Sequence, residues 1–400
     1  MLWDDELRPR SDARLLINEG RIERLLEPEE PVPSGVPVHG YENATILPGL
    51  IDTHCHLTLP GDGRDVDRFL STASDEELVQ VGLRNAHAAL LGGVTTLRDL
   101  GARGDTAFDL VRLLDEERGP APRVVVSGPA ITRPRGHGWS FGLEVCGAPA
   151  MREAVRRLHA NGAGVIKVMA SGGSTPGTET WRASFTVEEL RAAVETAHAC
   201  GLPVAAHISC PEAAVRCLDA GVDDLEHLNL WSDSVFTNTV DPDLLARIAR
   251  RSAVVGPTLQ TPYRILHENA EVDDPRSAVR AKLCKDVLSN CSQFVEFGLR
   301  LIAGSDAGFL VTRFDELHLG LRLLVERGLT PRQALRAATV EAAAALQLQN
   351  ETGCLRPGLD ADILIVEGDP LADIAALQNV RAVFVRGRRV ESTVRRTESV

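Results

Sequence analysis

Long hydrophobic runs are missing from this chain of 400 residues. No apolar stretch reaches about 18 residues, which argues against a transmembrane helix. Basic residues are outnumbered, 43 Lys and Arg against 56 Asp and Glu, for a formal net charge of -13. A nucleic-acid partner would want a basic face, and an anionic membrane surface would repel this one. The eight cysteines include no Cys-x-x-Cys pair, so neither a disulfide framework nor a zinc ribbon is expected. Reduced thiols in a cytoplasm fit instead. The opening residues Met1-Leu2-Trp3-Asp4-Asp5-Glu6 are acidic where a signal peptide is basic, and predict none. There is no solenoid repeat and no low-complexity tract. No Gly-x-Gly-x-x-Gly follows the first strand, so a dinucleotide-binding fold lacks its fingerprint.

The chain is long enough for a barrel of about 250 residues plus a smaller domain. Near the start, Arg14-Leu15-Leu16-Ile17 and Arg21-Ile22-Glu23-Arg24-Leu25-Leu26 flank Asn18-Glu19-Gly20 and read as a hairpin. Near the end, 361–366 and 380–387 are also strand-like. Both termini therefore supply strands that could pair into one small sheet domain. Between them strands and helices alternate. Strands are expected over 94–97, 123–127, 164–169, 203–207, 222–226, 253–256 and 301–303. Helices are expected over 75–91, 104–118, 150–161, 186–200, 211–220, 241–251, 274–297, 314–327 and 331–347. Ser74 before Glu76-Glu77, Thr186 with Glu189, and Thr330-Pro331 mark helix starts. With the strand ending near residue 54, about eight units alternate. That pattern predicts an α/β fold, a (β/α)8 TIM barrel, with an open doubly wound sheet as the alternative.

Leu47-Pro48-Gly49-Leu50-Ile51-Asp52-Thr53-His54-Cys55-His56 carries the strongest chemical signal. Strand residues i and i+2 point to one side, so two imidazoles converge, and two neutral imidazoles suit a divalent metal. A lone His-x-His pair is common. In a barrel, however, strand C-terminal ends share one mouth, and other polar residues end strands here. They are Lys167 in the fourth, His207 in the fifth, His227 in the sixth and Asp306 in the eighth. Separately, each has a plainer reading: a satisfied polar residue, a snorkelling lysine, a helix cap. Lys167, buried among apolar residues, would favour the neutral amine. Such an amine adds carbon dioxide to become a carbamate, an anion with two oxygens that bridges two metals around a shared hydroxide.

The chain resembles the amidohydrolase superfamily. The segments that carry the likeness are 47–56, Gly93-Val94-Thr95-Thr96-Leu97-Arg98-Asp99-Leu100-Gly101, Ile166-Lys167-Val168-Met169-Ala170-Ser171-Gly172-Gly173, Ala206-His207, Glu226-His227, Gly304-Ser305-Asp306-Ala307-Gly308 and Gly358-Leu359-Asp360-Ala361-Asp362. They run over nearly the whole chain. Gly128-Pro129-Ala130 and Gly136-His137-Gly138-Trp139 bring it closest to the branch with imidazolonepropionase-like and Xaa-Pro or Xaa-Arg dipeptidase (prolidase-like) members. The resemblance implies a barrel over 48–355 and a small composite β-sandwich from 1–47 and 356–400. It implies that His54, His56 and Asp306 hold one divalent metal and His207 and His227 a second, bridged by carboxylated Lys167. Asp306 would move the proton from hydroxide to leaving nitrogen. Zinc suits ligands that are mainly imidazole. His137, Tyr263 and Arg313 are candidates for substrate binding. The pattern departs in Leu228-Asn229-Leu230-Trp231, where glycine is usual after the histidine, and in Tyr263, displaced by an inserted residue.

The expected activity is hydrolysis of a small-molecule amide C–N bond, in a dipeptide or N-acyl amino acid, by a cytoplasmic enzyme that self-associates into a homo-oligomer. A mononuclear deaminase or cyclic-amide (imidazolone) hydrolase of the same superfamily is the first alternative. A deaminase would usually carry His-x-x-Glu after the fifth strand, and Ile208-Ser209-Cys210 stands there. A non-hydrolytic metal-binding barrel is the second; it would be expected to have lost ligands, and none is lost.

Overall fold

The computed structural model describes residues 1–117, 119–233, 237–238, 240–251, 253–268 and 275–391. Arg118, Asp274 and residues 392–400, which the helix and domain expectations include, lie outside the described residues.

The chain opens with the hairpin Arg14–Asn18 and Arg21–Leu26. Its turn is Glu19-Gly20, both at positive φ (48° and 80°), the two-residue geometry that matches strand twist. Next comes Ala44–Pro48, which pairs antiparallel with Ile363–Glu367 from the far end of the chain. Ile363–Glu367 pairs in turn with Val380–Val385, and that strand with Arg388–Arg389, giving one four-stranded antiparallel sheet. Ile22, Leu355, Ala361, Ile363, Ile365, Ala382 and Phe384 form the apolar cluster that joins hairpin and sheet.

The remaining strands are parallel. Leu50–Cys55, Val94–Asp99 and Arg123–Val126 form one sheet. Ile131–Thr132, Leu143–Glu144, Ile166–Met169, Val204–His207, Asp224–Glu226 and Val254–Gly256 form another. Every residue of Leu50–Cys55, Val94–Asp99, Ile166–Met169 and Val204–His207 is buried. Burial on both faces is the mark of parallel strands sandwiched by other layers. Gly164 N–H donates to the Val126 carbonyl (3.0 Å), joining the two sheets on one side. On the other side the segment 300–306 lies between them. Ile302 N–H donates to Val255 O (3.0 Å), and Thr53 N–H donates to Ala303 O (2.9 Å). The strand expected at 301–303 is therefore present as hydrogen-bonded extended chain, with a single bridge at Leu301, and not as a regular ladder.

Helices alternate with these strands and follow the sequence signals closely. Ser74 Oγ accepts from Glu77 N–H at the start of Asp75–Leu91, and capping boxes open Val187–Ala199 and Pro331–Ala337. One helix was expected over 331–347; two form, Pro331–Ala337 and Val340–Ala345. The carbonyls of Ala337 and Ala338 accept instead from Ala303 and Ile51 N–H groups (both 2.8 Å), which takes them out of the helical ladder. Tyr263, past the end of the strand expected at 253–256, lies in the helix Gln260–Glu268, which the sequence reading did not include. At the opposite end of the strands Arg123 donates to Asp360 (2.6 Å) and Asp362 (2.9 Å). It ties the parallel layer to the terminal sheet. Among the described residues no helix is long and apolar enough to cross a membrane.

Candidate metal centre

Four imidazoles gather where the parallel strands end. His54 is next to last in Leu50–Cys55 and His56 follows that strand; His207 ends Val204–His207; His227 follows Asp224–Glu226. Ring centroids are 5.5 Å apart for His54–His56, 4.9 Å for His54–His227 and 4.6 Å for His207–His227. Asp306 Oδ1 stands 3.6 Å from His54 Nε2 and 3.4 Å from His56 Nε2. The ligand atoms of His54, His56 and Asp306 all lie within 4.8 Å of one another. His227, Thr258 and Asp306 have φ of 65°, 44° and 59°. For residues with a Cβ this left-handed backbone costs roughly 1 kcal/mol or more each. At all three the chain leaves the strand direction beside the imidazoles.

Each imidazole is held from behind through one nitrogen. His54 Nδ1 meets Glu226 Oε2 at 2.7 Å, and His56 Nδ1 meets the Gly101 carbonyl at 3.0 Å. His207 Nε2 meets Ser209 Oγ at 3.0 Å, and His227 Nδ1 meets Thr258 Oγ1 at 2.7 Å. The opposite nitrogens are left to ligate, as in protein metal sites generally. Burial, followed by neighbouring charge such as that of Lys167, holds His54, His207 and His227 well below the usual imidazole range, so they are neutral donors.

Lys167 lies one strand inward from His207, paired with Ala205. It is 1% exposed, and among the described residues its Nζ has no hydrogen-bond partner. Burial pushes its pKa from 10.5 down to about 8, although Glu226 and Asp306 pull the other way. Its charge reaches His54, His137, His207, His227 and Asp306. Burial tends to raise Asp306, but His56, His54 and Lys167 bring it down to about 2.

Beneath the imidazoles lies a buried charged layer that sequence reading assigned no role. Arg98 is 0% exposed. It donates to Thr53 O (2.6 Å), to Glu226 Oε1 (2.8 Å) and to Asp224. Asp52 accepts from His54 N–H (3.1 Å) and from the Ser305 N–H (3.0 Å) and hydroxyl (2.5 Å). Asp99 accepts from Leu57 N–H (2.7 Å) and Gly101 N–H (3.0 Å). The signal was available: an arginine inside a strand buried on both faces requires carboxylates, and Asp224 and Glu226 stand at i and i+2 of another strand. Five buried carboxylates (Asp52, Asp99, Asp224, Glu226, Asp306) share this layer with the buried cations Arg98 and Lys167 and with His56, whose pKa burial tends to lower but Asp306 and Asp99 raise. This excess of negative charge, the neutral imidazoles and the unpartnered Lys167 amine together fit a divalent-cation site.

The other sequence candidates separate. His137 joins the cluster, 4.4 Å from His207 between ring centroids, with Nδ1 on Thr175 Oγ1 (2.9 Å) and burial lowering its pKa to about 4. Tyr263 points to the helix Leu317–Glu326, where Arg322 donates to its hydroxyl (3.1 Å). Arg313 is exposed and paired with Asp315 (2.6 Å). The structure does not bring these two to the imidazoles. Cys55, expected in the core, is fully buried.

A family model described as Amidohydrolase family matches residues 45–390. Ochratoxinase of Aspergillus niger is 29% identical over 371 residues, spanning 84% of this chain and 73% of that protein. Imidazolonepropionase of Saccharopolyspora erythraea is 25% identical over 414 residues, spanning 97% of this chain and 95% of that protein. Among solved structures, a putative prolidase from Bifidobacterium longum matches with a TM-score of 0.79 at 28% identity, over 94% of this chain and 89% of that one.

Proposed function

Since the chain belongs to the amidohydrolase family and is a hydrolytic enzyme acting on C–N bonds, we propose that it is a two-metal amidase that cleaves dipeptides or N-acyl amino acids. The scaffold in this reading is a (β/α)8 barrel over 48–355, closed through the segment 300–306, with a composite domain from 1–47 and 356–400. The hydrogen bonds of Ile302 and Thr53 support the closure, and the pairing of Ala44–Pro48 with Ile363–Glu367 supports the composite domain.

His54, His56 and Asp306 would hold one ion and His207 and His227 the other, with Lys167 between them as a carbamate. The observation that carries the reading is the Lys167 amine, buried beside four imidazoles without a hydrogen-bond partner among the described residues. A neutral amine there is nucleophilic towards carbon dioxide; it forms an N–C bond and sheds a proton, and the resulting carbamate would supply two oxygens in place of one nitrogen. Bound divalent ions, zinc by preference for imidazole, would supply Lewis acidity, lowering the pKa of water and polarising the scissile carbonyl. Asp306, held ionised, accepts the proton of the attacking water and returns it to the leaving nitrogen. Neutral His137, beside His207, is placed to hydrogen-bond the substrate. Tyr263 and Arg313 would first have to leave Arg322 and Asp315, and they take no part in this reading.

The likeness to a putative prolidase favours a dipeptide. The likeness to imidazolonepropionase over 97% of the chain supports a second reading, a cyclic amide. Metal analysis of the purified protein should give two equivalents per chain. A screen of dipeptides and N-acyl amino acids, read by release of the free amine, should then find turnover. Saturation at one equivalent would overturn the two-metal reading, and turnover of an imidazolone alone would select the second.

A further inference from the structure

We propose that Glu226, fixed in place by Arg98, sets the tautomer of His54 and makes the His54–His56–Asp306 group the tighter of two metal sites. The inference rests on the two-metal reading above. It begins from a difference between the two halves of the cluster. Behind His54 stands a carboxylate and behind His56 a backbone carbonyl. Both groups only accept hydrogen bonds. At His54 the contact with Glu226 (2.7 Å) is far shorter than the one with Asp306 (3.6 Å), so the proton goes to Nδ1 and the lone pair stays on Nε2, the nitrogen that faces Asp306. At His56 the margin between the Gly101 carbonyl (3.0 Å) and its rival Asp306 (3.4 Å) is narrower. Behind His207 and His227 stand the hydroxyls of Ser209 and Thr258. A hydroxyl donates as readily as it accepts, so it permits either tautomer. A carboxylate partner also raises the basicity of the ligating nitrogen more than a hydroxyl does.

Glu226 cannot easily turn away. Arg98 Nη2 occupies its Oε1 at 2.8 Å, and Arg98 is itself tied to Thr53 O (2.6 Å), one residue before His54. A Cβ at Gly256 would stand 2.4 Å from Glu226 Oε2, so only glycine leaves the carboxylate its room. Glu226 and Arg98 are both 0% exposed, and bulk water cannot substitute for either.

The substitution Glu226→Gln turns this geometry into a test. Arg98 offers only N–H groups, so the amide oxygen must face Arg98. The amide NH2 then faces His54 Nδ1 and can only donate. The imidazole proton moves to Nε2, on the side of Asp306, and the lone pair is lost to the metal. Glu226→Asp keeps an acceptor-only group and should retain most of the affinity.

The measurement is a zinc titration of the metal-free full-length protein in competition with a chromophoric chelator. Wild type should show a tight and a weak class of site. Glu226→Gln should weaken the tight class about 10–100-fold and leave the weak class unchanged. Ser209→Ala should do the reverse. Equal weakening of both classes by Glu226→Gln, or an unaltered tight class, would overturn the inference while leaving two bound ions intact. Wild type that saturates at one equivalent would instead overturn the two-metal reading. Should Glu226→Gln not fold, long-range NMR of the metal-free wild type labelled with 15N-histidine decides: His54 should carry its proton on Nδ1, and a proton on Nε2 refutes the proposal.

Discussion

Replacing Lys167 by methionine should stabilise the metal-free protein while removing its capacity for a second ion. The lysine is 1% exposed and its Nζ has no hydrogen-bond partner among the described residues. Its pKa falls from 10.5 to about 8, chiefly because of burial. That drop corresponds to about 3 kcal/mol against the charged amine in the folded state. The attraction of Glu226 and Asp306 is already contained in it. Methionine has nearly the same volume and no donor to satisfy, so packing changes little. A gain of about 3 kcal/mol should raise the melting temperature by roughly 5 °C in a chain of this size. The sign with pH follows from linkage. A base with a depressed folded pKa costs stability fully below about 8, and the cost fades as pH rises towards 10.5. The advantage of Lys167→Met should therefore be greatest at pH 7 and shrink between about 8 and 10.5. The assay is thermal melting in chelator and carbon-dioxide-free buffer across that range. A variant that melts below wild type at pH 7 would show that the amine has a stabilising partner, and the argument for a poised, neutralisable lysine would fail.

Three further outcomes are expected. At fixed dissolved carbon dioxide, uptake of the second equivalent by metal-free wild type should quicken about tenfold per pH unit up to about pH 8 and then level off, following the neutral amine; a flat profile counts against the carbamate. Asp306→Asn should lower kcat about 10²–10⁴-fold in an amine-release assay, since the amide cannot take the proton. Arg123→Met takes the cation away from Asp362, which is 2% exposed, while Asp360 keeps Arg21 and Arg386, and should destabilise by about 3 kcal/mol in urea while the activity per folded molecule stays at the wild-type level.

The histidines were legible because strand ends in alternating βα sequences share a side, and because alternation places His54 and His56 together while sending Cys55 into the core. Lys167 was legible as a charge inside an apolar strand. Arg98 is the same kind of signal, yet its partners lie 126 and 128 residues away, and only the pairing of distant strands shows which carboxylates answer it. The helix Gln260–Glu268, which carries Tyr263, was not legible for a local reason. Gln260-Thr261-Pro262-Tyr263 follows a β-rich run directly, and proline in the first turn of a helix looks in sequence like the end of a strand. The split of 331–347 was hidden because it is caused by Ala303 and Ile51, which draw on the carbonyls of Ala337 and Ala338 from outside the helix.

The pairing of Ala44–Pro48 with Ile363–Glu367 also bears on how the molecule is made. During synthesis the early strand leaves the ribosome more than 300 residues before its neighbour exists. For that interval it is an open edge, the kind of surface that recruits foreign strands. Closing so long a loop is slow, because contacts distant in sequence form late. A nascent chain stopped before residue 363 would keep its histidines but lack the seam that holds its two ends, and should be prone to aggregate.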